Sequence, residues 1–127
     1  RDLKKISDEL KLSKVIFFHG YVLNLFDEIS KADAMLIPSL SEGVSRAALE
    51  ALYLGVPCVM RDIDGNSELI TSGVNGELFN DDNDLARVML DTAIFSREQK
   101  LFQNVLTPDI FRQDFASKEF VNLIKSF

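Results

Sequence analysis

Two glutamates, Glu42 and Glu50, stand eight positions apart where a loop enters a helix-forming segment. Eight residues cover about 12 Å of an α-helix and return to within about 80° of the same face. Glu42 is therefore expected at the mouth of the helix, with Glu50 two turns further along it. A diphosphate bound at the helix start would have an attached sugar near Glu42 and a ribose near Glu50. Both carboxylates could accept hydrogen bonds from the hydroxyl groups of these sugars.

The loop before this helix has features of an anion-binding site. It runs over residues 39–45 and contains Gly43, which allows a ligand to approach the backbone. The amides around Gly43, Val44 and Ser45 are expected to face an incoming anion, because the first turn of a helix has no internal acceptors for them. The signal is weak by itself, since many loops that open helices look similar.

A surface ion pair is the competing interpretation of Glu50, because Arg46 lies four residues before it. Such a pair stabilises a helix by a few tenths of a kcal/mol, and the order Arg-then-Glu is the less favourable one. The remaining helix, residues 47–54, is apolar on nearly every side and leaves little face for solvent. Spacing alone leaves both interpretations open.

The elements that hold these residues alternate between strand and helix. Four short apolar runs predict strands, at residues 15–18, 35–37, 57–60 and 77–79. Fully apolar strands that alternate with helices are typical of a parallel sheet covered on both faces. The predicted fold is α/β: a Rossmann-like parallel sheet of about four strands, flanked by helices on both faces, with a helical C-terminal tail.

Ligands bind such sheets at the carboxyl ends of the strands. Three loops qualify, at residues 19–24, 39–45 and 61–66. His19 in the first is interpreted as structural, because a lone histidine more often has a structural role than a catalytic one. Arg61 in the third is interpreted as a solvated surface arginine. No group of Asp, Glu and His residues has the spacing of a metal site.

Composition is that of one ordinary globular domain. The chain has 127 residues, 46% hydrophobic and 27% charged, with a formal net charge of −6. The negative charge disfavours nucleic-acid binding, and no apolar run approaches the roughly 20 residues of a membrane span. With no visible signal peptide and a single cysteine, Cys58, predicted to be a buried small hydrophobe, a cytoplasmic location is expected.

A family resemblance is carried by residues 42–52, which read EGVSRAALEAL, and by residues 55–59, which read GVPCV. Together they resemble the signature of glycosyltransferase family 4, retaining enzymes of the GT-B fold. The resemblance continues in Pro38-Ser39 and Asp64-Gly65 and covers roughly residues 1–90.

The resemblance implies a role for each candidate residue. Glu42 would be the catalytic residue, holding hydroxyls of the transferred sugar, and Glu50 would bind the ribose. The other donor-binding positions would border the diphosphate or the sugar: Ser41, Gly43, Val44, Ser45, Asp64 and Gly65. No metal and no cofactor is implied beyond the donor substrate, a nucleotide-diphosphate sugar.

The implied reaction moves the sugar to an acceptor hydroxyl with retention of anomeric configuration, and residues 44–46 are similar to members that build bacterial surface polysaccharides. Residues 1–127 would form a single partial domain, the C-terminal donor-binding half of a longer enzyme. An acceptor glycan or lipid-linked sugar would bind an N-terminal domain absent from this chain, so the chain alone is expected to be inactive. Two absent strands would leave residues 15–18 and 35–37 to pair directly or to self-associate.

Two other functions have a similar pattern of elements. A nucleotide-sugar epimerase would need acid and base residues in the pocket, and His19 is the only histidine. A receiver-like signalling module would need an aspartate at a strand end, whereas the strands here end at His19-Gly20 and Pro38-Ser39. Both alternatives are less favoured than sugar transfer.

Overall fold

A computed structural model describes residues 2–41, 43–63 and 65–99, together with Pro108, Asp109, Asn122, Lys125 and Ser126. The elements are, in chain order, α1 (Leu3–Glu9), α2 (Leu25–Ser30), β1 (Met35–Ile37), α3 (Arg46–Tyr53), β2 (Cys58–Arg61), α4 (Asn66–Leu69), β3 (Gly76–Phe79) and α5 (Asp82–Gln99). Within this part of the chain the sheet has three parallel strands in the order β1-β2-β3. The predicted α/β class and parallel sheet are confirmed.

The sheet separates two apolar layers, because successive side chains of a strand point to opposite faces. On one face Cys58 and Met60 of β2 join Ala48 and Leu52 of α3 in the larger cluster of buried residues. On the other face Val59 of β2 packs with Phe79 of β3 and Val88 of α5. Helices therefore cover both faces, as the apolar strands predicted.

The predicted strand at residues 15–18 is wrong. Residues 16–18 belong to no regular element, and Phe17 is 70% exposed. In the described sheet β1 pairs only with β2, so the predicted direct pairing of residues 15–18 with residues 35–37 is wrong as well. A strand depends on a neighbouring strand for its backbone hydrogen bonds, and residues 15–18 pair with none of the three described strands.

The predicted helical tail is present as α5, an 18-residue helix that starts with Asp82 and Asp84 in its first turn. Acidic side chains at this end are favourable to the helix dipole. Most residues beyond α5 lie outside the described part of the chain. None of the described helices has the length and apolar composition of a membrane span.

Candidate functional site

The ends of β1 and β2 bring two loops to one edge of the sheet. β1 ends at Ile37 and β2 at Arg61, and the register pairs Ile37 with Met60. The strands are parallel, so the loops that follow them leave from the same edge, where open α/β sheets bind ligands. Two predicted site residues in these loops, Glu42 and Asp64, lie outside the described residues, and their roles stay predictions.

The start of α3 is built by Ser45. Its backbone is extended, with φ −71 and ψ 112, and its hydroxyl accepts a hydrogen bond from the amide of Ala48 at 3.3 Å. This capping bond satisfies one of the amides that have no acceptor within the helix. The amides of Arg46 and Ala47 likewise have no acceptor within the helix. Ser45 is buried, and its hydroxyl oxygen caps the helix. The backbone amides of this turn are therefore the groups that could bind a ligand.

The loop residues around this helix start are open to solvent. Ser41, Gly43 and Val44 are all exposed, and so is the apolar side chain of Leu40. An anion can therefore reach the first turn of α3 without displacing described side chains. The partial positive charge at a helix N-terminus favours such an approach.

Glu50 makes a weak contact with Arg46. The guanidinium Nη2 lies 3.9 Å from Oε1, with Arg46 92% exposed and Glu50 32% exposed. This distance is beyond a hydrogen bond, and an exposed pair of this kind contributes little to stability. The predicted surface pair is thus present, yet the carboxylate has no hydrogen bond from any described residue and keeps its capacity to accept one from a ligand.

Gly43 and Gly65 are not explained by the packing of this chain. Neither has a φ in the left-handed region, and a Cβ built on either would meet no described group within 4 Å beyond its chain neighbours. Gly76 differs, since a Cβ there would lie 1.9 Å from the carbonyl oxygen of Cys58. The open space beside Gly43 and Gly65 is where a ligand could approach the backbone closely.

Arg61 differs from its predicted role as a solvated arginine. Its side chain is only 16% exposed, because Nη2 contacts Asp82 Oδ1 at 2.7 Å and the guanidinium lies 4.9 Å from the ring centre of Phe79. The side chain also donates to the carbonyl of Asn80 at 3.4 Å. Alternation along β2 places Arg61 on the α5 face with Val59, which was the available sequence signal.

Asn66 was missed by the sequence interpretation. It is buried, and its side-chain amide donates to the carbonyl oxygen of Arg61 at 2.8 Å across the loop that contains Gly65. The signal was a side chain able to form hydrogen bonds within a turn, at the entrance to a helix.

His19 and Cys58 are the two other residues that the sequence predicted to be structural. His19 is exposed and outside the regular elements. Cys58 is buried as predicted, and burial raises the pKa of its thiol to about 12. Among the described residues no group of three or more His, Cys, Asp or Glu side chains is arranged to hold a metal.

Comparison with known proteins identifies relatives of this chain. A family model described as glycosyl transferases group 1 matches residues 1–93. A UDP-Gal:alpha-D-GlcNAc-diphosphoundecaprenol alpha-1,3-galactosyltransferase of Escherichia coli is 32% identical over 78 residues, which are 61% of this chain and 20% of that protein. A lipopolysaccharide 1,6-galactosyltransferase of Escherichia coli K12 is 40% identical over 76 residues, 56% of this chain and 21% of that protein.

A third relative, the poly(glycerol-phosphate) alpha-glucosyltransferase of Bacillus subtilis strain 168, is 37% identical over 75 residues, 58% of this chain and 11% of that protein. The chain thus spans about a fifth or less of the length of these three relatives.

Proposed function

We propose, from the premise that this chain belongs to the family of group 1 glycosyl transferases, that it carries the nucleotide-sugar site of a longer transferase. The observation that carries this proposal is the pair of neighbouring strand ends. An open helix start, next to Gly43, faces the same edge of the sheet as Gly65. Family membership favours sugar transfer over the epimerase and receiver-like alternatives.

The donor would bind with its diphosphate at the first turn of α3. Breaking the bond between the anomeric carbon and the diphosphate leaves the electron pair, and growing negative charge, on the diphosphate. Amides that already point at this position stabilise that charge without reorganising. The amides of Arg46 and Ala47 in the first turn, together with the backbone of Gly43, Val44 and Ser45 just before it, would supply them. Ser41 would lie beside the phosphates.

The two glutamates would bind the two sugars of the donor. Glu50, whose carboxylate has no hydrogen bond from a described residue, would accept bonds from the ribose. Glu42 would hold the transferred sugar, bordered by Asp64 and Gly65. The nucleotide, the sugar and the acceptor are left open by this arrangement.

Retention of configuration is part of the proposal, and so is membership of the GT-B family 4 group. Support comes from one relative, whose name describes a transferase that takes UDP-Gal and forms an alpha-1,3 linkage. The sugar of UDP-galactose is itself α-linked, so that reaction keeps the configuration. The names of the lipopolysaccharide and poly(glycerol-phosphate) relatives suggest a cell-surface glycan as the product class. The cytoplasmic location, the inactivity of the isolated chain and its self-association stay predictions.

A direct test begins with the full-length transferase and a panel of nucleotide sugars. We expect at least one to raise the melting temperature and to be consumed when an acceptor is present. Glu42→Gln should then lower kcat while changing donor affinity little, because the charge acts mainly in the transition state. Glu98→Gln, on an exposed position of α5, is the matched control and should behave as wild type. Equal kcat in both variants would contradict the role of Glu42.

A further inference from the structure

We propose that Asn66 is a positioning residue of the donor site, acting through the loop that contains Gly65. This inference rests on the proposed function, because it assigns a task to a residue that would not itself touch the donor. Asn66 is 3% exposed and lies directly after Gly65 at the start of α4. Its side chain faces inward, towards the end of β2.

The carbonyl oxygen of Arg61 organises the loop. It accepts two hydrogen bonds, one from the amide of Ile63 at 2.9 Å and one from Asn66 Nδ2 at 2.8 Å. The backbone amide of Asn66 adds a bond to the carbonyl of Ile63 at 3.1 Å. These three bonds link Arg61, Ile63 and Asn66 in one turn. Gly65, directly before Asn66, is exposed.

The base of this turn is fixed to the neighbouring strand. The amide of Asp62 donates to the carbonyl of Phe79 at 2.9 Å, and the Arg61 side chain is bound to Asp82 at 2.7 Å. Among the described residues, the Asn66 amide makes the one side-chain hydrogen bond that spans the turn. The orientation of Gly65 relative to the strand end therefore depends on Asn66.

Removal of this bond should affect the site more than the fold. The Arg61 carbonyl would keep its bond from Ile63, and the base of the turn would keep its bonds to β3. The turn would lose the link that sets the direction of its last residues. A displacement of about 1 Å in a group that positions a substrate can lower the rate by a factor of about 100.

Asn75 provides a matched control at the other end of α4. It is also 3% exposed, and its side chain donates to the carbonyl of Leu69 at 2.9 Å and accepts from the amide of Thr71 at 2.7 Å. Both buried asparagines thus hold α4 through side-chain hydrogen bonds. Of the hydrogen bonds described here for the two side chains, the one from Asn66 spans the turn that carries Gly65, whereas those of Asn75 reach Leu69 and Thr71.

The test compares Asn66→Ala and Asn66→Asp with Asn75→Ala in the full-length transferase, measuring kcat, the KM for the nucleotide sugar and the melting temperature. Aspartate keeps the shape of asparagine but places a carboxylate oxygen against the Arg61 carbonyl. Both Asn66 variants should lower kcat/KM for the donor by about tenfold or more. Asn75→Ala should lower the melting temperature at least as much and keep kcat/KM within about twofold of wild type.

The possible results separate the two proposals. If wild type transfers sugar and the Asn66 variants keep kcat/KM as well as Asn75→Ala does, Asn66 is a structural residue only and this inference is overturned. If wild type consumes no nucleotide sugar of the panel, the proposed function itself fails. Where Asn66→Ala does not fold, Asn66→Ser, with a shorter donor side chain, gives the same comparison.

Discussion

Alanine at Gly43 or Gly65 should separate donor binding from stability. Apart from the neighbouring residues in the chain, a new Cβ at either position would meet no described group within 4 Å, and neither backbone has a left-handed φ. Replacing glycine where the backbone suits any residue stabilises a protein by about 0.4–1 kcal/mol, because the unfolded chain loses freedom. We therefore expect Gly43→Ala and Gly65→Ala to leave the free energy of unfolding unchanged or slightly raised.

Donor binding should respond in the opposite direction. If the donor approaches these positions, a methyl group holds it away from the backbone amides beside them. The loss of one hydrogen bond to a charged group costs about 1.5–3 kcal/mol, which is about a 10- to 150-fold rise in Kd. Calorimetric titration of the nucleotide sugar into the full-length transferase measures this rise, and urea unfolding of the same samples measures stability.

Gly76→Ala is the control with the reverse outcome. Its Cβ would overlap the carbonyl oxygen of Cys58, 1.9 Å away, so strands β2 and β3 would have to move apart. Such overpacking costs about 1–3 kcal/mol or more of stability. If Gly43→Ala and Gly65→Ala bind the donor as wild type does, or lose stability as Gly76→Ala does, the open space beside them is not a ligand site.

Three further outcomes follow from the contacts of the described residues. Glu50→Ala should weaken donor binding by about 1–3 kcal/mol. Arg46→Ala should leave the Kd for the donor unchanged, because the two side chains are 3.9 Å apart and Arg46 is exposed. Equal losses of affinity in calorimetry would favour the ion pair. In urea unfolding, Arg61→Ala should lower the free energy of unfolding by about 1–3 kcal/mol, and Asp82→Ala by less than about 1 kcal/mol. The reason is that Arg61 is mostly buried and Asp82 is 82% exposed. The reverse order would refute a structural role for Arg61. Burial raises the pKa of the folded Cys58 thiol from 9.0 to about 12, so the unfolded chain loses its proton first as the pH rises. The free energy of unfolding should then fall by up to about 1.4 kcal/mol per pH unit between those values, and Cys58→Ala, compared with wild type at pH 8 and pH 10, should lack this part of the slope.

Three of the four apolar runs form strands, because each of these three has a partner within the described sheet. β1, β2 and β3 coincide closely with the apolar segments at 35–37, 57–60 and 77–79. Residues 15–18 have the same local pattern but no neighbour in the sheet, and local sequence does not report whether a partner exists. Periodicity therefore identified what could be a strand, and pairing decided which segments became one.

The site was predictable where it depends on local geometry. The sequence predicted a helix start around residues 43–45, and in the structure α3 begins at Arg46 with Ser45 as its capping residue. The roles of Arg61 and Asn66 were not accessible in this way, because their partners are set by tertiary contacts. Arg61 meets Phe79 and Asp82, 18 and 21 residues later, and the importance of Asn66 depends on which carbonyl its amide reaches.

The geometry of the donor site is set by the sheet beneath it. Parallel strands lie about 4.8 Å apart, and the register that pairs Ile37 with Met60 makes the two loops leave the sheet within one residue of the same level. That register is held by the apolar layer in which Ile37 and Met60 pack with the buried residues of α3. The helix whose first turn would receive the diphosphate is therefore also the helix that fixes β1 against β2. A donor that contacts both Gly43 and Gly65 would therefore depend on this packing, because the two strand ends set where the loops begin.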